Sequence, residues 1–397
     1  CQSHAPNLSA GPEQEPDGVG ELDIARLAGR RSLQELEDPR IDRTKRHLLI
    51  DIIAISICAV ISGADGWEDI EAYGKDKHDW LKTFLTLPNG IPSHDTIGRL
   101  FQRLSPEGFQ RCFMLWVESL NQKLGLKLIA IDGKTVRRSF DKNSAKSALH
   151  LVSAWSVENH LTLGQTAVDQ KSNEITAIPE LLHGLDVSGS VITIDAMGCQ
   201  KDIARQIVVG GGDYVLAVKD NQPNLHAEIQ AHFLKVHEGT ADVPTIRRHV
   251  TRESGHGREE ERHYLITSIP AEMAARKNEW HGLNSVGQVI SYTTRNGTTT
   301  SEVRYYICSL KPAVRQFAEA VRGHWAIENS CHWVLDMTFN EDQCRIRKGH
   351  GTENFCLLRR LALSMIKQDS SKESVRRRRK RAGWSDANLL RILQGRT

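Results

Sequence analysis

The chain has 397 residues, of which 39% are hydrophobic and 25% charged, with a formal net charge of +3. These fractions belong to a soluble globular protein, exclude a chain disordered throughout, and at this length favour two to three domains. Eight cysteines (Cys1, Cys58, Cys112, Cys199, Cys308, Cys331, Cys344 and Cys356) are scattered singly, without the density of a disulfide-framed secreted domain. Around Cys331, His332, Cys344, His350 and Cys356 no CxxC or HxxxH spacing suggests zinc. The thiols read as reduced and structural, in a cytoplasmic protein.

Residues 1–20, rich in Pro, Gly, Glu and Ser without an apolar period, predict a disordered tail. No stretch with a basic start and an apolar centre opens the chain, and its start at Cys1 reads as that of a fragment. Residues 21–123 carry helical signals throughout and predict an all-helical N-terminal domain. Its first helix, at 47–62, is closed by Gly63 and Gly66, and a second spans 67–80. The apolar run within 48–62 contains Asp51 and falls short of the roughly twenty residues a membrane span needs, so it predicts a core helix and no membrane. After the turn at 87–92, Ser93 caps a helix to about residue 104, and Ser105-Pro106 starts the next, ending near Gly125.

From residue 124 the period changes to that of strands. Strands are predicted at 126–132, 149–157 and 161–168, the last two joined as a hairpin, then at 191–195 and 214–218. Helices are predicted at 179–185 and 200–209, the latter ended by Gly210-Gly211-Gly212. An antiparallel meander followed by β-α-β units suggests a mixed sheet with helices on its faces across 124–219. Residues 220–304 read as a β-rich insertion, with strand-like runs at 245–250, 263–269, 286–293 and 301–309. The core resumes over 305–367 with helices at 312–337 and 354–367, and 368–397 reads as a basic tail containing the run RRRRKR at 376–381.

Two of the predicted buried strands end in an acid: LIAID at Asp132 and VITID at Asp195. Each carboxylate sits where its strand leaves the sheet, the edge at which ligands of α/β sheets collect. A turn role for Asp132 and a helix-starting role for Asp195 are the plain alternatives. Glu328 falls seven residues after Val321 and seven before Leu335, in the apolar stripe of the helix at 312–337. An acid placed there is paired with a base, Arg322 or Arg345, or binds metal. Asp336, Glu341 and Asp342 compete for that place, but at the helix end solvent exposure explains them. Three converging carboxylates would suit Mg2+ or Mn2+, and two such ions can drive in-line phosphoryl displacement on nucleic acid.

Longer strings carry a resemblance. AIDGKTVRRS around Asp132, HLVSAW from His150, LGQTAVDQKSNEITAIPELL from Leu163, TIDAMGCQKDIA around Asp195, DYVLAVKDNQ from Asp213 and RGHWAIENSCHWVLDMTFNED around Glu328 resemble the H-repeat-associated family of bacterial insertion-sequence transposases. GADGWEDIEAYGKDKHDWL from Gly63 and LPNGIPSHDTIGRLF from Leu87 resemble that family's N-terminal associated domain, so the likeness runs over about residues 21–395. It implies a DDE transposase with a ribonuclease H-like catalytic domain, in which Asp132, Asp195 and Glu328 are the metal-binding catalytic acids and the cofactor is Mg2+ or Mn2+, two ions. Where relatives often carry Tyr, Arg and Lys around the glutamate, this chain has Val321, His324 and Leu335. Arg322 and Lys348 are the available substitutes.

A transposase must hold DNA, and Lys or Arg on phosphate gives affinity that falls with salt. Lys134, Arg137 and Arg138 follow the first acid and are the first candidates, with solvated surface charge as the plain alternative. Lys219, Asn221 and Gln222 follow a strand at the same sheet edge, and Arg322, Arg345, Arg347 and Lys348 flank the third acid. Trp325 reads as core packing before base stacking. The run at 376–381 reads as a non-specific backbone contact, and the helix at 94–104 as a DNA-reading or dimer element. The sequence therefore predicts a Mg-dependent DNA transposase, acting on element ends and target as a homodimer or larger assembly in the bacterial nucleoid. The competing reading is a domesticated DNA-binding protein that kept the fold and lost transposition.

Overall fold

Eleven successive buried residues, 51–61, make the helix α1 (Leu49–Ser62) apolar on every side, the pattern of a helix enclosed by others. Its one carboxyl, Asp51, is satisfied inside the protein by the backbone N–H of Leu87 at 2.9 Å. The computed structural model describes residues 36–124, 127–140, 147–168, 173–255 and 257–395. The expected tail at 1–20 and Cys1 lie outside the described residues. α2 (Trp67–Asp76) packs on α1, α3 (His94–Arg103), capped by the Ser93 hydroxyl, packs on α2, and α4 (Pro106–Leu124) follows. The expected helix at 67–80 breaks at Lys77, and a separate turn of helix follows at His78–Leu81. Among the described residues no single helix is long and apolar enough to cross a membrane.

The sheet has nine strands in the order β3-β2-β1-β4-β5-β9-β8-β7-β6. β1 (Leu128–Thr135), β2 (His150–Ser156) and β3 (Leu161–Ala167) form the antiparallel meander, and β4 (Val191–Ile194) and β5 (Asp213–Val218) add in parallel to β1. This half is the ribonuclease H-like arrangement. Its helices are α5 (Glu174–His183) and α6 (Lys201–Val209). The first begins five residues before the Pro179 expected to open it, because the Asn173 side chain caps Ile175 N–H.

The stretch between β5 and the returning core is not all strand. It opens with α7 (Pro223–Glu238), started by Pro223 in its first turn and stopped by Gly239 in a left-handed conformation. β6 (Ile246–Gly255), β7 (Arg258–Ser268), β8 (Ser285–Arg295) and β9 (Thr298–Cys308) follow, and β9 pairs antiparallel with β5. The inserted strands thus extend the catalytic sheet. The helix expected at 312–337 is α8 (Val314–Ile327), then a π-helical turn (Glu328–His332), then α9 (Trp333–Phe339). α10 (Gly351–Gln368) follows it. The expected basic tail is instead two helices, α11 (Val375–Trp384) and α12 (Asp386–Gln394), packed on α1 and α10.

Side chains alternate across a strand. Leu128, Val191 and Val215 face α8 and pack with its Phe317 and Val321, while Ile129, Ile192 and Leu216 face the core shared with the other helices. Gly323 brings α8 close to β1, for a Cβ there would overlap Leu128.

Candidate active site

The same alternation puts Asp132 on the α8 face of β1 with Leu128, and Asp195 beyond β4 on the face of Val191 and Thr193. β1 and β4 pair in parallel with Ile131 opposite Ile194, so the two aspartates leave neighbouring strands at one sheet edge. One turn of α8 above them lie Val321, His324 and Trp325, and Glu328 starts the π turn. Asp132, Asp195 and Glu328 line one cleft of about 210 Å³, together with Thr193, Lys219, Arg304, Tyr306, His324 and Trp325. The three acids come from three elements, and only the crossing of α8 over the sheet assembles them.

Each acid is held differently. Asp195 caps the turn after β4, its Oδ1 accepting from the N–H groups of Met197 at 3.0 Å and Gly198 at 3.4 Å. Burial raises its pKa, and the carboxylates of Glu174 and Asp132 raise it further. Burial also works to raise Asp132, but His332, whose Nδ1 lies 3.5 Å from Asp132 Oδ2, holds the carboxyl below its ordinary value. Glu328 is exposed at the cleft mouth rather than buried in an apolar stripe, because across the π turn the buried positions run through Ile327, Cys331, Val334 and Leu335 and leave it to one side. Its side chain has no hydrogen bond or ion pair among the described residues. His324 sits amid the three acids with Nδ1 3.1 Å from the Thr193 hydroxyl. Burial lowers its pKa against the opposing pull of Asp132, Asp195 and Glu328. A neutral imidazole therefore stands in the middle of an acidic cleft.

The expected phosphate contacts separate into two groups. Lys134 is buried, its Nζ 2.7 Å from Asp336, 3.1 Å from Asp342 and 3.3 Å from Glu341. Arg322 forms a bidentate pair with Glu253 at 2.8 and 3.0 Å. Asn221 donates to the carbonyl of Ala196 and Gln222 to that of Cys199, so both brace the turn that carries Asp195. Lys219 is exposed on the cleft wall. Arg137, Arg138, Arg345 and Lys348 are exposed. The loops bearing them meet, with Arg137 Nε 3.3 Å from Asp342 and the Arg347 guanidinium 5.6 Å from the Phe140 ring. Trp325 is half-buried in the cleft wall, with the Arg304 guanidinium 4.7 Å above its ring.

Glu341, expected at the surface, is fully buried and 2.7 Å from the equally buried Arg360. Burial favours its neutral form, but Arg360 and Lys134 outweigh it and hold the carboxyl at about 2. Glu174 went unnoticed in the sequence, since it lies before Pro179, where the helix was expected to open; its partner is His150 Nε2 at 2.7 Å. The seven described cysteines are buried and form no disulfide with one another.

Asp132, Asp195 and Glu328 offer hard oxygens to a divalent cation, and the opposition between two neighbouring carboxylates is the condition a cation relieves. Among the described residues no three His, Cys, Asp or Glu side chains close tightly on a single point. Mg2+ does not need such a cage, because it takes one or two carboxylates and completes its shell with water and substrate phosphates. The donor set fits.

Comparison with known proteins gives the family. The family model described as the transposase DDE domain matches residues 123–365, and the DDE_Tnp_1-associated model matches residues 30–117. YhhI, an H repeat-associated protein of Escherichia coli (strain K12), is 43% identical over 349 residues, covering 87% of this chain and 91% of its own. YbfL of the same strain is 42% identical over 349 residues, with the same coverage. YncI of Escherichia coli O157:H7 is 39% identical over 366 residues, covering 90% of this chain and 92% of its own. YhhI and YncI are named as transposases. The cryo-EM structure of a piggyBac transposase synaptic complex with hairpin DNA overlaps with a TM-score of 0.38 at 11% identity, covering 95% of this chain and 78% of that one, too loosely to define shared geometry. DDE transposase domains generally use divalent metal ions. The chain belongs to the DDE transposase family, among the H repeat-associated transposases of insertion sequences.

Proposed function

We propose that this transposase nicks DNA at the ends of its element by hydrolysis and uses the freed 3′ hydroxyl to attack target DNA, with Mg2+ or Mn2+, two ions, held by Asp132, Asp195 and Glu328. One observation carries the reading: three acids separated by 63 and 133 positions line a single cleft at the exit edge of the sheet. When bound, such ions activate the attacking oxygen and neutralise charge on the leaving one during in-line displacement.

The chain's own residues set the conditions for that chemistry. The N–H groups of Met197 and Gly198 occupy one oxygen of Asp195 and fix the direction of the other. His332 holds Asp132, and Thr193 fixes the His324 ring so that it lines the cleft without adding positive charge. Lys219 on the wall and Arg138, Arg345 and Lys348 on the adjoining loops suit the phosphates of an incoming strand, and Arg137 and Arg347 can join them only by sharing the groups they hold on Asp342 and Phe140. Lys134, Arg322, Asn221 and Gln222 serve the frame instead, because their polar groups are already engaged. Two copies of the protein, one at each element end, acting in the bacterial nucleoid, complete the reading.

A strand-transfer assay with labelled element ends in Mg2+ tests it. Asp195→Asn, Asp132→Asn and Glu328→Gln should each bind ends normally and join none of them. Joining by the Asp195→Asn protein at the wild-type rate would overturn the proposed role of the acids.

A further inference from the structure

The run of six basic residues at 376–381 is divided by the helix that contains it. On one side of α11, Arg379 is buried and donates to the carbonyls of Val60 at 3.1 Å, Ala64 at 3.2 Å and Thr338, and to Asp65 at 3.1 Å. Arg378 donates to the carbonyl of Ile366 at 2.8 Å and to Ser371, and Arg381 pairs with Glu373 at 2.9 Å. These three are fasteners. Arg376, Arg377, Lys380 and Trp384 are exposed. At about 100° per residue they fall within an arc of about 100°, one face of the helix. Arg376 and Lys380 have no acidic partner among the described residues, and Arg377 only approaches Glu373 at 3.4 Å. Trp384 is 74% exposed, more than any other large hydrophobic side chain described.

We propose that this face of α11 is a second DNA-binding surface, outside the cleft, that grips the phosphate backbone of the duplex leaving the active site. Three features select DNA as the occupant. The face holds two unpaired cations, and its one acid, Glu373 at the helix start, is already neutralised by Arg377 and Arg381, which leaves the complement of a polyanion. A merely solvated basic helix has no reason to present an indole at its end, whereas Trp is usual where a partner covers a surface. Position is the third. Arg379 ties α11 to the end of α9, with its guanidinium 4.4 Å from the Phe339 ring, and α9 starts directly after the turn that carries Glu328. The eleven residue steps of helix from Glu328 to Phe339 span about 16 Å, a distance of about five base pairs of duplex.

A second copy of the chain is the competing occupant. The acidic strand β7 is the patch it would offer, but Glu260 already pairs with Arg258 and Arg262, and Glu261 with Arg252 and His263. Glu253 on the adjoining β6 is likewise taken by Arg322. Of the acids on β7 only the exposed Glu259 is left without an ion pair among the described residues, one carboxylate against a face with two unpaired cations.

The inference rests on the reading that DNA is the substrate, and the experiment separates the two. Binding of full-length protein to a DNA duplex carrying an element end and about 20 base pairs of flank is measured by fluorescence anisotropy across a salt series, beside nicking of the same duplex. The triple variant Arg376→Ala/Arg377→Ala/Lys380→Ala should weaken binding, and its slope of log affinity against log salt should flatten by about 0.9 for each phosphate no longer neutralised. The charge-preserving variant Arg376→Lys/Arg377→Lys/Lys380→Arg should keep the slope, which removes misfolding as an explanation. A wild-type protein that neither binds nor nicks would overturn the functional reading itself. Wild-type binding and nicking, with an unchanged slope in the triple alanine variant, would overturn this inference alone. So would a shift of the triple variant from dimer to monomer in sedimentation without change in DNA affinity, which assigns the face to a second copy.

Discussion

The buried charges behind the first aspartate give a sharp prediction. Lys134 lies two residues beyond Asp132 on the same face of β1, and its ammonium sits among Asp336, Asp342 and Glu341, while Glu341 also holds Arg360. Glu341→Gln removes the carboxylate of a fully buried arginine, whereas Lys134 keeps its closer partners at 2.7 and 3.1 Å. Breaking one side of a buried pair costs about 3–5 kcal/mol. With an unfolding entropy of about 0.8 kcal/mol per degree for a chain of this length, the melting midpoint should fall by about 4–6 °C. Scanning calorimetry measures the fall, and Glu341→Met/Arg360→Met should recover most of it, since an apolar pair leaves no charge stranded. Because the network anchors the end of β1, nicking should drop further than DNA affinity does. A midpoint within about 1 °C of wild type would show that the network contributes no stability and would refute the reasoning.

The same carboxyl predicts an acid window. Its folded value of about 2 lies below its ordinary 4.5, so its contribution is complete above about pH 4.5 and disappears as pH falls towards 2; the stability gap between wild type and Glu341→Gln in urea titrations should narrow over that interval, and a gap constant with pH would contradict it. Gly323→Ala should force α8 away from β1 and cost about 1–3 kcal/mol by overpacking. It should also slow nicking at unchanged DNA affinity, and an enzyme of normal rate would mean that this approach of helix to strand does not set the cleft. Asn221→Ala and Gln222→Ala should each destabilise by about 1 kcal/mol and leave the salt slope of DNA binding alone; a flatter slope would return them to the phosphate contacts.

Much of the frame was legible locally. Alternation and strand-terminal acids placed Asp132 and Asp195 at one edge, because a period of two ties sequence to sheet face. The helix α1 could be read as core from its length and its Asp51. Other signals were present but outweighed: Pro223 and Gly239 bracket α7 with Leu225, Ile229, Phe233 and Val236 buried between them, yet the charged residues around it read as strand and loop. What no local pattern carries is the pairing of charges distant in the chain. Lys134 looked like a phosphate ligand and Glu341 like a surface acid, and each is buried only because the other, together with Arg360 from α10, arrives from elsewhere in the chain.

The exposure of Glu328 and the division of the basic run at 376–381 have the same origin. A helical period gives the direction of a side chain but not what stands opposite it, and whether an arginine fastens α11 or faces solvent depends on the carbonyls of Val60, Ala64 and Thr338. Sequence by itself determined most of the elements and pointed to the acids, since propensity and periodicity are local properties. Tertiary structure alone decided which charges are consumed in the frame and which stay exposed, because Coulomb energy and desolvation depend on neighbours in space.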